Sequence, residues 1–385
     1  MRRPVLPVLT VLIVLAAALA AQQAPGQPRP RPGTGREPEF PPPSIVDYKP
    51  RSTLVVPQHP VKRAKFPVID VHGHAPGLGS VDGVNRVVAA MDGLNLRLMV
   101  VPGGGGGGGN VAQQLAAVAQ AGHRGRFAFW SGASFREVGP GFGARAAAQL
   151  EADVKAGAMG LGEVGKNLGL RTRRADGTRL AVDDPELDPL WAACARLGVP
   201  AFVHIGEPSE FFQPLDYQNE RWLEMALFRD RRYNDRGQNP SFDELIAERD
   251  RMLLKHPKTT FVLAHLGWHA NDLARLGALM DKLPNLYAEV GAILYDLGRQ
   301  PRSAHAFFVK YQDRLLFGKD SFQPDEYPYY WRVFETTDEY FDYYRDYHAF
   351  WKLYGMDLPD GALKKLYYQN ALRILPRLPR DGFPK

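Results

Sequence analysis

Seven residues are of types and at positions that suit metal chemistry: Asp70, His72, His74, Glu163, His204, His265 and Asp320. The first three fall in Val68-Ile69-Asp70-Val71-His72-Gly73-His74. On an extended strand alternate residues share a face, so these side chains point the same way. Two imidazoles at i and i+2 can chelate one cation without help from a loop. Further along come Gly162-Glu163-Val164-Gly165, Phe202-Val203-His204, Leu263-Ala264-His265 and Gly318-Lys319-Asp320. Neutral imidazoles and carboxylates are the ligand set of zinc and similar divalent ions. A single histidine is ordinarily a core or surface residue, and His59, His123, His256, His305 and His348 are read that way. His269 sits just past the strand that ends at His265 and is placed near a substrate.

Each of those groups closes a short apolar run. The strand-like runs are 67–71, 96–101, 126–131, 159–164, 201–205, 260–265, 285–290 and 314–317. Between them lie amphipathic stretches at 81–94, 111–121, 144–156, 186–197, 242–255, 272–283 and 303–311. Apolar residues recur there at three- and four-residue steps, as a core-facing helix requires. Gly198 and Pro200, and later Pro257, punctuate the passage from helix to strand. Strands alternating with helices predict an α/β fold, a (β/α)8 TIM barrel with added C-terminal helices. A doubly wound open sheet is the alternative, because periodicity cannot show closure. The barrel is preferred because its strands all point one way and bring the polar ends to one mouth, where barrel enzymes keep their chemistry.

These residues resemble the amidohydrolase superfamily, and within it the amidohydrolase-related (family 2) branch of metal-dependent TIM-barrel hydrolases and decarboxylases. The resemblance covers nearly all of 67–385. It is carried by Asp70-Val71-His72-Gly73-His74, by His204 and His265, by Leu315-Leu316-Phe317-Gly318-Lys319-Asp320-Ser321, and by the closing Tyr368-Gln369-Asn370-Ala371-Leu372-Arg373-Ile374-Leu375. It implies a divalent metal, zinc first with manganese or iron as alternatives, held by His72, His74, His204 and Asp320. Such an ion lowers the pKa of a bound water from 15.7 toward about 7. Asp320 is then placed to accept the proton and return it to a leaving group. His265 would polarise a substrate carbonyl, or join Glu163 as ligand to a second ion. Asp70 is read as an orienting residue behind the ligands.

Two departures from the branch stand out. Many members read Gly-Thr-Asp where this chain has Gly318-Lys319-Asp320. Glu163 resembles the bridging carboxylate of two-metal relatives such as the TatD-like hydrolases. One ion with Glu163 handling protons and two ions bridged by it both remain open. The first functional expectation is hydrolysis of an amide, ester or lactone bond in a small molecule, with carboxylated molecules among the substrates considered. Non-oxidative decarboxylation is the alternative, and a non-catalytic ligand-binding barrel the third.

Substrate contacts are sought among the loop arginines. Arg171 opens a cluster with Arg173 and Arg174, and Arg221 precedes Arg229, Arg231 and Arg232. An arginine fork reaching the mouth would clamp a carboxylate. Residues 322–354 hold 14 of the 42 aromatics, enough to pack helices onto the barrel, onto a partner in a homo-oligomer, or over the mouth. Gly103–Gly109 satisfies a dinucleotide pattern only trivially, since the next acid is Glu137, so the run is read as a mouth loop.

Charge and cysteine count narrow the rest. The chain has 48 Lys+Arg and 42 Asp+Glu. Residues 1–66 hold ten of the bases and three of the acids, leaving 67–385 at a net charge of −1. A near-neutral body gives no basic surface for nucleic acid. One cysteine, Cys194, excludes disulfide scaffolds and Cys-rich metal sites. Met1-Arg2-Arg3 and the apolar run from Val5 to Ala21 read as a signal peptide over 1–21, with cleavage near Ala20. A retained N-terminal anchor is the other reading; export to the periplasm or medium, with no spanning segment afterwards, is preferred. Residues 22–66 read as a disordered Pro-rich linker and 67–385 as the catalytic barrel with its C-terminal helical extension.

Overall fold

Every predicted strand run contains a strand. The computed structural model describes residues 44–103, 110–136, 138–174, 176–348 and 350–384. The strands of the barrel and its mouth are β1 (Val68–Asp70), β2 (Gly73–His74), β3 (Leu96–Val101), β4 (Phe127–Phe129), β5 (Leu161–Val164), β6 (Ala201–Val203), β7 (Phe261–Leu263), β8 (Leu286–Glu289), β9 (Leu315–Leu316) and β10 (Asp320–Ser321). β1, β3 and β4 form one parallel run, and β5 through β9 another.

Backbone hydrogen bonds join the two runs at both seams. Ser131 N donates to Gly160 O and Gly162 N to Ser131 O, each at 2.8 Å. On the other side Val71 N donates to Phe317 O at 3.0 Å. The sheet is therefore closed, and the open-sheet alternative is excluded. The wall is lined with fully buried Val68, Ile69, Met99, Phe202, Val262, Leu286 and Leu316.

Helices Val81–Leu94, Val111–Gln120, Phe142–Ala156, Asp188–Leu197, Phe242–Lys255, Leu273–Lys282 and Pro301–Lys310 follow successive strands. The first and fifth match their predicted limits because side chains cap them. Ser80 accepts from Gly83 N, and Ser241 forms a reciprocal capping box with Glu244. Each such cap contributes about 1 kcal/mol. Tyr327–Glu335 lays Tyr327, Tyr330 and Trp331 against Phe317, so most of the aromatic segment packs helix onto barrel. At the C-terminus the buried Asn370 amide donates to Leu315 O and Gln312 O, each at 2.7 Å, tying the closing helix to β9.

The chain divides into two units, Met1–Pro50 and Arg51–Lys385. Of the first, residues 44–50 are described and contain a turn in which Asp47 N and Tyr48 N donate to Ser44 O. In the second, the end of the proline-rich stretch is bonded to the barrel. His59 N and Nδ1 each lie 2.6 Å from the Asp338 carboxylate, and Ala64 N donates to Leu94 O. The leader at 1–21, the linker from 22 to 43 and most of the glycine run, 104–109, lie outside the described residues. Among the described residues no helix is long and apolar enough to cross a membrane.

Candidate metal centre

The strand carrying the two leading histidines is broken at the first of them. β1 ends at Asp70, Val71 and His72 bend, and β2 resumes at Gly73. β2 then pairs in parallel with β10, putting Asp320 beside Gly73 and Ser321 beside His74. Asp320 N donates to His72 O at 2.7 Å. That pairing brings a carboxylate from the end of the chain to histidines near its start. Asp320 has φ +75°, a left-handed conformation that Asp tolerates better than most residues.

His72 Nε2 and His74 Nε2 lie 3.3 Å apart, with Asp320 Oδ1 3.9 Å from the first and 3.7 Å from the second. Glu163 Oε2 closes the group at 3.3 Å from His72 Nε2 and 3.1 Å from His74 Nε2. Two overlapping donor sets result: His72, His74 and Asp320, and His72, Glu163 and His265. His204 stands one step out. Its Nδ1 meets Glu163 Oε1, and its buried Nε2 has no partner. It belongs to neither donor set, and its unpartnered Nε2 leaves the expected ligand role open.

Behind the donors lies a residue that the sequence reading passed over, Glu289 at the end of β8. Its Oε1 is 3.1 Å from His72 Nδ1 and accepts from His265 N at 2.7 Å. Its Oε2 accepts from Gly291 N at 2.6 Å. A carboxylate only accepts, so His72 carries a proton on Nδ1 and turns Nε2 toward the site. Burial opposes its charge, but Glu163 and Glu289 hold its pKa well above the ordinary value. An ion would therefore bind by displacing the Nε2 proton. Burial alone would raise the Glu289 carboxyl, but the His72 charge and hydrogen bond hold it below its ordinary value. Asp70, expected to orient the ligands, lies behind them. Oδ1 accepts from His72 N at 2.9 Å and Lys319 N at 3.1 Å, and Oδ2 from Tyr327 OH at 2.7 Å. Burial raises its pKa.

His265 sits in a left-handed turn. His265, Leu266, Gly267 and Trp268 have φ of 56°, 51°, 61° and 58°. Such a run costs about 1–2 kcal/mol per non-glycine residue and needs surrounding structure to hold it. It sets the Trp268 ring against the His265 ring, centroids 4.4 Å apart and planes tilted by 32°. His265 Nδ1 lies 2.7 Å from Gly291 O, so the proton is on Nδ1. Burial, followed by the neighbouring His204, lowers its pKa to about 4. The neutral ring then offers only a lone pair at Nε2, which is buried without a partner. His265 therefore cannot polarise a carbonyl by donating a hydrogen bond, contrary to one of its two expected roles; the ligand role remains open to it.

The site suits a cation. Burial opposes ionisation of Glu163, yet His72 and His204 hold its carboxyl well below the ordinary value. Asp320 is also lowered, burial being outweighed by His72 and His265. Three ionised carboxylates around His72 favour positive charge there, and two buried imidazole nitrogens lack any protein partner.

The remaining sequence candidates separate. Arg221 reaches the cavity at the mouth, but its guanidinium is paired to Glu224 at 2.6 Å and lies over the Tyr295 ring. Arg171 donates to Asp230 O at 2.7 Å and covers Tyr233, away from the cavity. His269 faces a different depression, where Arg249 Nη2 lies 3.2 Å from its Nε2. The Arg221 partner was within reach of sequence reasoning, since Glu224 is three residues on in a helical stretch.

A closed parallel barrel with histidines and carboxylates gathered at the C-terminal ends of its strands defines a metal-dependent TIM-barrel enzyme. The sequence pattern described as Amidohydrolase matches residues 69–377. The chain belongs to the amidohydrolase family, in its amidohydrolase-related branch. No curated protein matches it. Among solved structures it is similar to a dihydroxybenzoic acid decarboxylase from Polaromonas with bound manganese and 2-nitroresorcinol: 14% identity, 81% of this chain, 97% of that one, TM-score 0.50. A 4-oxalomesaconate hydratase from Rhodopseudomonas palustris aligns at 14% identity over 81% and 96% of the chains, TM-score 0.47. An uncharacterized TIM-barrel protein from Bordetella bronchiseptica aligns at 20% identity over 81% and 99%, TM-score 0.48.

Proposed function

We propose that this chain is a hydrolase that adds water to the carbonyl of an amide, ester or lactone. The observation that carries this reading is Asp320. It is the donor-set carboxylate that also lines the cavity, with its side chain 32% exposed, whereas Glu289 behind it is sealed. His72, His74 and Asp320 would hold the ion, with Glu163 against the same nitrogens. Zinc, manganese or iron suits this mixed nitrogen and oxygen set. The ion supplies Lewis-acid activation of water and carbonyl.

The chain supplies the rest. Asp320 takes a proton from the attacking water and delivers it to the departing amine or alcohol. Trp268 Nε1–H, buried without an acceptor in the wall of the same cavity, is the donor suited to a carbonyl oxygen in place of His265. Phe211 and Tyr295 give the cavity apolar surface for a small organic substrate.

The deciding experiment incubates the metal-loaded full chain with lactones, esters, amides and carboxylated aromatics, recording ring opening or acid release alongside CO₂. Acid release that disappears in D320A supports hydrolysis. CO₂ without water addition would replace this reading by decarboxylation, and binding without turnover by a non-catalytic barrel. The Met1–Ala21 leader supports export, for which N-terminal sequencing should find a start just after Ala20 or Ala21.

A further inference from the structure

We propose that Arg345 is the anion-binding residue of the cavity and that the substrate carries a carboxylate remote from the bond that is broken. The inference rests on the hydrolase reading for what happens at the metal end and adds the chemical class of the molecule bound there.

Four cations line this cavity: Lys166, Arg221, Arg231 and Arg345. Three of them are ion-paired within the chain, and Arg345 alone among the four is not. Lys166 Nζ is 2.6 Å from Glu207 Oε1, and Arg221 and Arg231 share the two oxygens of Glu224. Among the described residues no carboxylate lies within ion-pair distance of Arg345. Its guanidinium carbon instead lies over aromatic rings, 5.5 Å from the Tyr344 centroid and 5.9 Å from that of Tyr347. Tyr344 is itself braced, its ring 4.4 Å from Tyr343 and 5.2 Å from Tyr329.

Aromatic faces stabilise a guanidinium without consuming its in-plane N–H donors. Those donors match the two oxygens of a carboxylate, which is the geometry of a fork-to-fork pair. An arginine held over aromatic rings and left without a counter-ion at a cavity wall is thus disposed to take an anion from outside. Asp320 lines the same cavity, so a molecule held by its carboxylate at Arg345 extends toward the donor cluster. A decarboxylase would instead need the carboxylate at the ion. Placing it at Arg345 makes it a recognition handle and leaves a different group to react.

Phenylacetate and its neutral isostere phenylacetamide test this, titrated calorimetrically into the full chain after removal of metal by a chelator. Removing the metal eliminates carboxylate binding at the ion. The expected result is at least tenfold tighter binding of phenylacetate, reduced in R345K and abolished in R345M. Phenylacetate, but not phenylacetamide, should also protect Arg345 from phenylglyoxal, read by peptide mass mapping; this measurement needs no variant to fold. Equal binding of the two probes, no detectable binding of either, or a preference that survives R345M with Arg345 unprotected would overturn the proposal. Failure of the hydrolase reading appears separately, as absence of acid release from carboxylated and neutral esters by the metal-loaded enzyme.

Discussion

Glu289 Oε1 and His72 Nδ1 meet 3.1 Å apart with both side chains fully buried. The carboxylate fixes which imidazole nitrogen carries the proton and gives His72 the electron density of a strong ligand. Partners of this kind are typically worth 10- to 100-fold in metal affinity. E289Q replaces an oxygen facing Gly291 N or His72 Nδ1 with an amide nitrogen, setting donor against donor. Metal affinity should fall by about 10- to 100-fold, measured by competition with a chromogenic chelator. Wild-type affinity in E289Q would show that His72 does not depend on this contact.

Gly318 makes room for that carboxylate. A Cβ at this position would stand 2.2 Å from Glu289 Oε2 and 2.9 Å from His72 Cβ. The conformation at Gly318 is not the constraint; the space is. G318A should lower stability by about 1–3 kcal/mol, the usual cost of overpacking, and weaken metal binding through displaced Glu289. Urea unfolding of metal-free protein isolates the first effect. An unchanged midpoint would mean that the carboxylate relocates freely.

The barrel could be read from the chain because its signals are local. Glycine and proline mark the ends of helices, serines cap Val81–Leu94 and Phe242–Lys255, and polar residues close the strands. His72, His74, Glu163 and Asp320 could be found for the same reason. Glu289 also closes a strand, but its use comes from Gly318 and His72, distant in sequence, and no neighbouring motif marks it. The left-handed turn at His265 is equally silent: only Gly267 within it favours that conformation, and the turn is held by tertiary packing. Arg171 and Arg221 show the converse error. Their type suited a carboxylate clamp, but partners within the chain occupy them, Asp230 for Arg171 and Glu224 for Arg221, while Arg345 lies in a segment that stands out for its aromatics.

One ion, not two, should occupy the site. Both donor sets include His72, and its Nδ1 is committed to Glu289. The single lone pair remaining on Nε2 serves one cation. Elemental analysis after metal loading and desalting should give a metal-to-protein ratio near one in wild type. E163Q should retain that ratio, because His72, His74 and Asp320 remain. A ratio near two in wild type that falls to one in E163Q would establish Glu163 as a bridge.

Acid sensitivity should come partly from histidines outside the site. Burial, then the charges of Arg249 and Arg275, lowers His269 from 6.5 to about 2. Burial also lowers His348 to about 4, although its hydrogen bond to Glu224 opposes the shift. Both rings are neutral when folded and bind protons more readily when unfolded. Their contribution is therefore fully present above about pH 6.5 and is lost as pH falls toward the folded values. Each group contributes a slope of about 1.4 kcal/mol per pH unit inside its window. Urea unfolding of metal-free protein between pH 7 and 5 should show stability declining with acid. H269Q keeps an acceptor for Arg249 but cannot titrate, so its slope should be shallower by about one proton's share. A slope equal to that of wild type would mean that His269 is already protonated in the folded chain.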